Sequence, residues 1–392
     1  MGGVKRIAVV IPKYGRIGGA ERFAFELTER LARDGRYEMH VFANRWVAGP
    51  GPVTFHEVPK VRFPRFLRQV GFAWFVGRAV ESGGFDLVHA HDRIFSADVF
   101  TMHSIPHETW VRDVRRRRPS LFDRAMAWVE RRLVERGGCA RFLPVSGIAG
   151  DAYRSMYGFD ASRVRVLHPG VDLARFASPD RAACRAAVRE RYGIGPSEVV
   201  ALFVGMNFEV KGLGVIIEAV AKAKVQRPGA DLRLLVVGKG DSAEYRALAT
   251  SLGIGDAVIF AGPQEGVEEF YLASDLFVML SKFDTFGMVV LEAMAARLPV
   301  IVSANVGAKD LVEEGVNGFV LPDGRDADAA AGKILLLLDA DRRAAMGEAG
   351  FRTASLHGWD RLAEEVAGVY ESCLARKSAA KGDNLSSKSL VI

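Results

Sequence analysis

The feature that most constrains the fold of this chain is the regular alternation of short apolar runs with longer amphipathic stretches. The apolar runs are rich in Val, Ile and Phe and are nearly continuous, without polar residues at every second position. Strands buried on both faces of a parallel sheet have this pattern, and the intervening helices cover those faces. The sequence therefore predicts an α/β protein with doubly wound, Rossmann-like parallel sheets.

The predicted strands and helices extend over nearly the whole chain. The strands are residues 7–11, 39–44, 53–58, 86–91, 98–103, 141–146, 163–168, 199–205, 232–238, 257–262, 276–281, 300–304 and 318–322. The helices are residues 19–33, 66–81, 120–136, 147–157, 211–225, 242–252, 266–273, 287–296, 326–338 and 360–377.

This pattern occurs twice, which fits a length of 392 residues better than one core does. It pauses at HPGVDLARFASPD (168–180), where Pro169, Gly170 and Pro179 indicate a linker. We expect two Rossmann-like domains, whose strands end around a shared cleft of the kind in which open α/β sheets bind ligands. The predicted domains are residues 1–171 with 358–377, and residues 172–357, followed by a flexible tail at 378–392.

Composition excludes several classes of protein. Apolar residues make up 49% of the chain, so it is not mainly disordered. The three cysteines are far apart and form no CxxC pair, which excludes a disulfide framework and fits a reducing compartment. The longest apolar runs are too short to span a bilayer, and the N-terminal run ends at Pro12 and indicates a first strand instead of a secretory signal.

The charge of the chain is unevenly distributed. Residues 1–176 hold 29 Lys and Arg against 18 Asp and Glu, a net +11, whereas residues 177–392 carry −5. The N-terminal half is therefore the better candidate for an anionic partner, such as nucleic acid, anionic lipid or an acidic substrate. A merely solvated basic surface is the alternative.

A phosphate site is predicted in SKFDTFGMVVLEAMAARLPVIVS (281–303). A strand ends at Ser281, a loop carries Asp284, and a helix begins near Gly287, where unpaired N–H groups and the helix dipole favour an anion. Glu292 lies eight residues after Asp284, so both carboxylates can point into one cleft. A charge inside the apolar run MVVLEAMAA needs a partner, which argues against the alternative of a solvated helical surface.

Two further strand-to-helix loops are candidates for the same ligand. In VGMNFEVKG (204–212), Asn207 and Lys211 follow a buried strand, and Lys211 is placed to meet a phosphate. In the first loop, Gly18 and Gly19 allow the backbone to approach a charged ligand, although no GKS or GKT follows as in a P-loop. An exposed lysine and a simple helix-entry turn are the alternatives.

The GxGxxA pattern in VVGKGDSAEY (236–245) lacks the acidic residue of a dinucleotide site. We interpret it as a loop that lines a nucleotide pocket.

Histidines occur at the ends of two predicted strands. His89 and His91 are expected on opposite faces of one strand, and without an evident third ligand they argue against a metal site. His103 directly follows another strand and is placed to hydrogen-bond a substrate hydroxyl or phosphate. A hydrogen-bonded core histidine is the alternative.

The segment 111–138 is rich in arginine interleaved with aromatic and aliphatic residues, including Arg115, Arg116, Arg117 and Arg118. Arginine clusters beside aromatic side chains suit anionic lipid headgroups or phosphorylated sugars. DNA is a weaker candidate because no helix-turn-helix or zinc module is visible. A solvated helical surface remains open.

Seven segments, in this order, resemble the family 4 retaining glycosyltransferases of the GT-B fold. They are GRIGGAERFAFELTERLA, TMHSIPHE, LPVS, VLHPGVDLARF, VGMNFEVKG, DTFGMVVLEAMAARLPVIVS and GVNGFVLP. The resemblance covers roughly residues 5–375, and its most specific part is 284–303. Within the family, ADVFTMHSIPHETW and VGMNFEVKG are most similar to the lipopolysaccharide core glucosyltransferase I group.

The resemblance implies roles for the candidate residues. Asp284 would bind hydroxyls of the transferred sugar, Glu292 the nucleotide ribose, and Lys211 the donor diphosphate. The remaining donor-site residues implied by the resemblance are His103, Gly18, Gly19, Gly205, Asn207 and the N–H groups of Phe286, Gly287, Met288 and Val289.

The chain departs from the family pattern at two positions. Asp284 replaces the first glutamate of the family's Glu-x7-Glu pair, and Met206 replaces the usual arginine.

The resemblance implies a retaining, metal-independent hexosyltransferase without a cofactor, because the nucleotide sugar is a substrate. UDP-glucose is the favoured donor, and the acceptor would be a glycan or lipid-linked molecule in cell-envelope synthesis. We expect a cytoplasmic protein associated peripherally with the inner face of the plasma membrane. The alternatives are a GDP-mannose-dependent mannosyltransferase, a nucleotide-sugar epimerase or hydrolase, and a non-catalytic sugar-binding protein.

Overall fold

The computed structural model describes residues 3–16, 18–177 and 180–388, and within them the chain divides into two compact units. The N-terminal unit contains the described residues up to Gly170 and those from Trp359 onward, and the C-terminal unit contains those of Val171–Gly358. Pro179 of the predicted linker lies outside the described residues.

The N-terminal unit contains a six-stranded parallel sheet with the strand order β5-β3-β1-β6-β7-β8, and a small two-stranded sheet, β2-β4. Its strands are β1 Lys5–Val10, β2 Lys13–Tyr14, β3 Tyr37–Ala43, β4 Arg45–Trp46, β5 Val53–Glu57, β6 Leu87–Ala90, β7 Val99–Met102 and β8 Arg141–Pro144. Its first helices are α1 Gly19–Arg33, α2 Leu67–Gly83, α3 His107–Thr109, α4 Leu121–Arg136 and α5 Gly147–Tyr157, with a π-helical turn at Trp110–Val114 and a 3-10 turn at Ala161–Arg163.

The C-terminal unit is built on a second six-stranded parallel sheet, with the order β11-β10-β9-β12-β13-β14. Its strands are β9 Val199–Val204, β10 Leu232–Val237, β11 Val258–Gly262, β12 Leu276–Met279, β13 Val300–Ser303 and β14 Gly318–Leu321. Its helices are α6 Ala174–Ala177, α7 Arg181–Arg191, α8 Leu213–Gln226, α9 Ser242–Ser251, α10 Glu268–Ala273, α11 Met288–Ala295, α12 Ala327–Leu336 and α13 Ala340–Ser355, with 3-10 turns at Gly255–Ala257 and Gly307–Leu311.

The last helix, α14 Trp359–Lys388, belongs to the N-terminal unit. Its first residue, Trp359, is buried and meets Phe23 of α1 edge to face at 5.8 Å between ring centroids. A Cβ on Gly170 would lie 2.7 Å from Trp359, so only glycine allows this close approach. Where the sequence predicts a flexible tail from residue 378, the helix continues to Lys388, and residues 389–392 lie outside the described residues.

The structure confirms the predicted α/β class with parallel sheets, and it corrects three segments. Residues 163–168, the predicted seventh strand, lie beside β8 and donate two backbone hydrogen bonds to it. They form only an isolated bridge, between Val164 and Phe142, and no strand. Helix α7 was not predicted because its sequence RAACRAAVRER is dominated by charge and alanine, which hides the apolar period. Helix α13 was not predicted for a similar reason, since alanine, glycine and arginine make up most of it.

Each sheet is covered by apolar side chains from its own helices, which form a core cluster in each unit. None of the described helices is both long and apolar enough to cross a membrane.

Candidate active site

The loop between β9 and α8 carries Lys211. Asn207 has a positive φ of 61°, and its side-chain oxygen accepts a hydrogen bond from the Val210 N–H at 3.3 Å. The Asn207 carbonyl accepts another from the Lys211 N–H at 3.1 Å. Asn207, which the resemblance implies at the donor site, thus uses its side-chain oxygen to close the loop.

A second loop, after β10, packs directly against this one. Gly238 has a positive φ of 134°, and a Cβ there would lie 1.9 Å from the carbonyl oxygen of Gly205. The Lys239 carbonyl accepts a hydrogen bond from the Asn207 N–H at 3.1 Å. A residue other than glycine at 238 would therefore push the two loops apart.

Lys211 and Asp284 form an ion pair, although 73 residues separate them in the sequence. Their side chains are 23% and 19% exposed, so the pair is shielded from solvent more than a surface salt bridge is. The Asp284 backbone is bonded to the segment after β13, through Asn305 and Gly307. The fold therefore brings together a cation and a carboxylate, which we call the Lys211–Asp284 site.

The helix that follows Asp284 begins at this site. Gly287 has a φ of 86°, and a Cβ on it would lie 3.0 Å from Val306 and 3.6 Å from the Asp284 carboxylate. Helix α11 begins at Met288 without a capping side chain. Because the first N–H groups of a helix have no intrahelical acceptor, those of Met288 and Val289 and the helix dipole can act on an anion.

The N–H of Phe286 is an exception among the predicted N–H donors. It donates to the Asp284 carboxylate at 3.1 Å, while the Phe286 carbonyl accepts from the Ala308 N–H at 2.7 Å. In this structure the N–H therefore orients Asp284, and its predicted place in the lining of the donor site stays a prediction.

Glu292 is buried in α11, as its position in an apolar run predicts, and it has polar partners. The Tyr271 hydroxyl donates to Glu292 at 3.2 Å, and an Arg175 guanidinium nitrogen lies 3.8 Å from the carboxylate. Arg175 also forms an ion pair with Glu268. Neither Arg175 nor Tyr271 is predicted from the sequence as a partner of Glu292, because neither lies within 15 residues of it.

His103 belongs to a cluster of rings in the N-terminal unit. His91 Nδ1 and His103 Nε2 are 3.0 Å apart, and the rings of His89 and His91 have centroids 4.2 Å apart. The expectation that His89 and His91 lie on opposite faces was wrong, because residues i and i+2 of a strand share a face. Burial lowers the pKa of His103 to about 3, so this ring is neutral at neutral pH and acts as a hydrogen-bonding group.

The first glycine loop lies in the same unit as this cluster. Gly18 caps α1 with an extended backbone, and its carbonyl accepts from the Arg22 N–H at 2.8 Å. Phe23, one turn after Gly19, meets the His103 ring edge to face at 5.0 Å. Helix α1 thus links the Gly18–Gly19 loop to His103. Within residues 3–16, 18–177 and 180–379, no group of three or more His, Cys, Asp or Glu side chains could hold a metal ion.

The four consecutive arginines are exposed but have different surroundings. Arg115 lies 5.9 Å from the Trp110 ring, and Arg117 forms an ion pair with Asp123 at 2.7 Å. Arg116 has a positive φ of 48°. The sequence predicts the same acceptor or membrane role for all four arginines. In the structure, Arg117 forms an ion pair with the buried Asp123 side chain.

Two family models match the chain. Residues 17–175 match the model described as Glycosyltransferase Family 4, and residues 185–353 match the model described as Glycosyl transferases group 1.

Curated relatives include two proteins named D-inositol 3-phosphate glycosyltransferase. The protein from Acidothermus cellulolyticus is 34% identical over 243 residues, which cover 59% of this chain and 53% of the relative. The protein from Streptomyces bingchenggensis is 28% identical over 93% of this chain and 86% of the relative. The chain thus spans about half the length of the first of these relatives and most of the second.

Solved structures share the fold at lower sequence identity. WaaG, described as a glycosyltransferase involved in lipopolysaccharide biosynthesis, has a TM-score of 0.76 and 23% identity over 93% of this chain and 99% of its own. Anabaena HepE, solved in complex with UDP, has a TM-score of 0.71 and 20% identity over 94% of this chain and 100% of its own. At these identities the likeness establishes the GT-B fold alone.

Proposed function

We propose that this chain transfers a hexose from a nucleoside diphosphate sugar to a glycan or lipid-linked acceptor. The chain belongs to the glycosyltransferases through a family 4 domain at 17–175 and a group 1 domain at 185–353. The observation that carries the proposal is the Lys211–Asp284 site at the start of α11. A departing nucleoside diphosphate accumulates negative charge, and a lysine beside a helix N-terminus is an arrangement that stabilises it.

In the proposed mechanism the C-terminal unit binds the donor. The Lys211 ammonium has three N–H donors, so it can hold Asp284 and a phosphate oxygen at once. Asp284 accepts hydrogen bonds from hydroxyls of the transferred sugar, and Glu292 accepts them from the ribose. The Met288 and Val289 N–H groups meet the diphosphate, and His103 contacts the sugar as a neutral imidazole. Transfer proceeds with retention, as the family resemblance implies.

UDP-glucose is the donor that we favour, and a role in lipopolysaccharide core synthesis is our proposal for the pathway. The supporting observations are the segments TMHSIPHE and VGMNFEVKG, and the fold shared with WaaG and with UDP-bound HepE. The names of the curated relatives add an inositol phosphate to the candidate acceptors.

We also propose that the protein is cytoplasmic and associates peripherally with the inner face of the plasma membrane. The basic N-terminal half and its exposed arginines support this location, since anionic lipid attracts clustered Lys and Arg.

The proposed function is tested by measuring turnover of UDP-glucose, GDP-mannose and other nucleotide sugars with and without a glycan acceptor. We expect the variants Lys211→Ala and Glu292→Ala each to lose about 2–4 kcal/mol of transition-state stabilisation, comparable to the loss of one oxyanion donor. Because a lysine and a helix N-terminus meet the diphosphate charge, activity should persist in excess EDTA.

The matched control is Lys222→Ala, which removes an exposed lysine on α8 that pairs with Asp328. Circular dichroism should show that all variants are folded. Turnover of folded Lys211→Ala at the rate of the Lys222→Ala control would refute the site, and rescue of EDTA-treated protein by Mg²⁺ or Mn²⁺ would refute metal independence.

A further inference from the structure

The N-terminal unit contains a cavity of about 860 Å³ between the segment 107–119 and α4. Its volume lies in the range of about 300–1,000 Å³ that is typical of small-molecule sites. Six arginines line it, namely Arg112, Arg116, Arg117, Arg118, Arg124 and Arg131. The lining carboxylates are Glu108 and Asp123, so its formal charge is strongly positive.

Three of these arginines are engaged by carboxylates. Arg117 pairs with Asp123 at 2.7 Å, Arg112 with Asp113 at 2.6 Å, and Arg131 with Glu108 at 3.5 Å. The first pair is internal, because the Asp123 side chain is only 3% exposed. The other two pairs are exposed and therefore weak.

Arg116, Arg118 and Arg124 differ from these three. Among the residues that the structure describes, none of them has a carboxylate within ion-pair distance. A guanidinium presents several N–H groups in a planar fork that matches phosphate oxygens. Arg116, Arg118 and Arg124 thus supply, around one cavity, N–H donors of the kind that phosphate oxygens accept.

The position of the arginine-bearing loop is fixed by Asp123. This carboxylate accepts hydrogen bonds from Arg117, from the Ser120 hydroxyl and backbone N–H, and it lies 3.0 Å from His107 Nε2. Arg117 beside it holds the Asp123 pKa well below its usual range, so the carboxylate stays ionised at neutral pH. The loop that carries Arg116 and Arg118 is thereby tied to the start of α4, which carries Arg124.

The cavity has apolar walls as well as guanidinium groups. Apolar groups of Val111, Pro119, Ala127 and Trp128 also line the cavity, and Trp128 is 51% exposed. An aromatic wall beside guanidinium groups suits the ring of a sugar or polyol that carries the phosphate.

We infer that Arg116, Arg118 and Arg124 bind the phosphate group of a phosphorylated sugar or polyol in this cavity. The identification of that molecule as the acceptor rests on the proposed glycosyltransferase function. The phosphate-binding site itself does not depend on it, and it can be tested without a donor.

Calorimetric titration of the full chain at low salt tests the inference with inorganic phosphate and with D-inositol 3-phosphate, and inositol serves as the unphosphorylated control. We expect both phosphates to bind and inositol to bind much more weakly. The variant with Arg116→Gln, Arg118→Gln and Arg124→Gln should weaken binding by about tenfold for each charge-assisted contact removed.

A control variant with Arg33→Gln, Arg62→Gln and Arg68→Gln removes three exposed arginines outside the cavity and should leave the affinity unchanged. Equal affinity of both triple variants for the phosphates would overturn the inference, and so would failure of both phosphates to bind the native chain.

A third arm measures sedimentation with vesicles of phosphatidylcholine, with and without phosphatidylglycerol. Loss of vesicle binding together with unchanged D-inositol 3-phosphate binding in the cavity variant would assign these arginines to the bilayer and overturn the inference. If the native chain binds the phosphates but shows no glycosyl transfer, the proposed function is refuted. Loss of phosphate binding in the cavity variant would then still support the phosphate site.

Discussion

The two ring nitrogens of His91 have different surroundings. Nδ1 lies 3.0 Å from His103 Nε2, whereas the buried Nε2 has no hydrogen-bond partner among the described residues. Buried N–H groups without an acceptor are rare, because each costs about 1–3 kcal/mol. Burial lowers the pKa of both rings, so each carries one proton at neutral pH. We therefore expect His91 to donate from Nδ1 and His103 to be protonated on Nδ1.

This tautomer makes His91 a positioning residue for His103, and the prediction is tested by ¹⁵N NMR of the imidazole nitrogens. The native chain should show His103 protonated on Nδ1. His91→Asn retains a donor and should preserve that state, whereas His91→Phe should produce a mixture of tautomers. If His103 contacts the sugar, kcat/KM should fall about tenfold in the Phe variant only, as expected for one hydrogen bond. An unchanged His103 tautomer in His91→Phe would contradict the prediction.

Helix α11 depends on the glycine at its start. Gly287 has a φ of 86°, and a Cβ there would lie 3.0 Å from Val306. An L side chain costs about 1–2 kcal/mol in this left-handed conformation. We expect Gly287→Ala to lower the free energy of unfolding by about this amount and to reduce turnover, because the N-terminus of α11 must shift.

The matched control for this prediction is Gly332→Ala in α12. A Cβ on Gly332 would meet no atom within 4 Å, and its φ is not positive. Replacing glycine by alanine inside a helix stabilises it by about 0.5–1 kcal/mol. Urea unfolding of both variants checks the pair, and equal stability of the two would contradict the proposed strain at Gly287.

At the scale of the whole molecule, the uneven charge predicts that the N-terminal half binds anionic membrane surfaces. Arg115, Arg116 and Arg118 are exposed, whereas Arg117 is needed by the buried Asp123. Each basic residue near an anionic surface contributes at most about 1 kcal/mol, so binding should be reversible and weakened by salt. We expect the Ser variant of these three arginines to co-sediment less with anionic vesicles than the native chain does.

A variant with Arg227→Ser, Arg342→Ser and Arg352→Ser removes the same charge from exposed positions in the C-terminal unit and should bind vesicles normally. Equal binding to neutral and anionic vesicles, or an equal loss of vesicle binding in both variants, would contradict the prediction. The arginines would then form only a solvated basic surface.

The sequence by itself determined the α/β class, most of the strands and helices, and the positions of the loops that carry Gly18, Asn207 and Gly287. These features are local, because apolar periodicity and glycine turns are encoded within about ten residues of chain. Where local composition was ambiguous, as in α7 and α13, tertiary packing supports the helix, because α7 lies against α10 and α13 lies against α11.

Only the tertiary structure decided which charged groups meet. Lys211 pairs with Asp284, and Arg175 approaches Glu292 from α6. Arg117 differs from the adjacent arginines because it forms an ion pair with Asp123. The partner of a buried ionised group depends on which elements pack beside it, and the fold must supply that partner because an uncompensated charge is costly. The residue types in the loops could therefore be predicted from the sequence, but the pairing of their charged side chains was set by long-range packing.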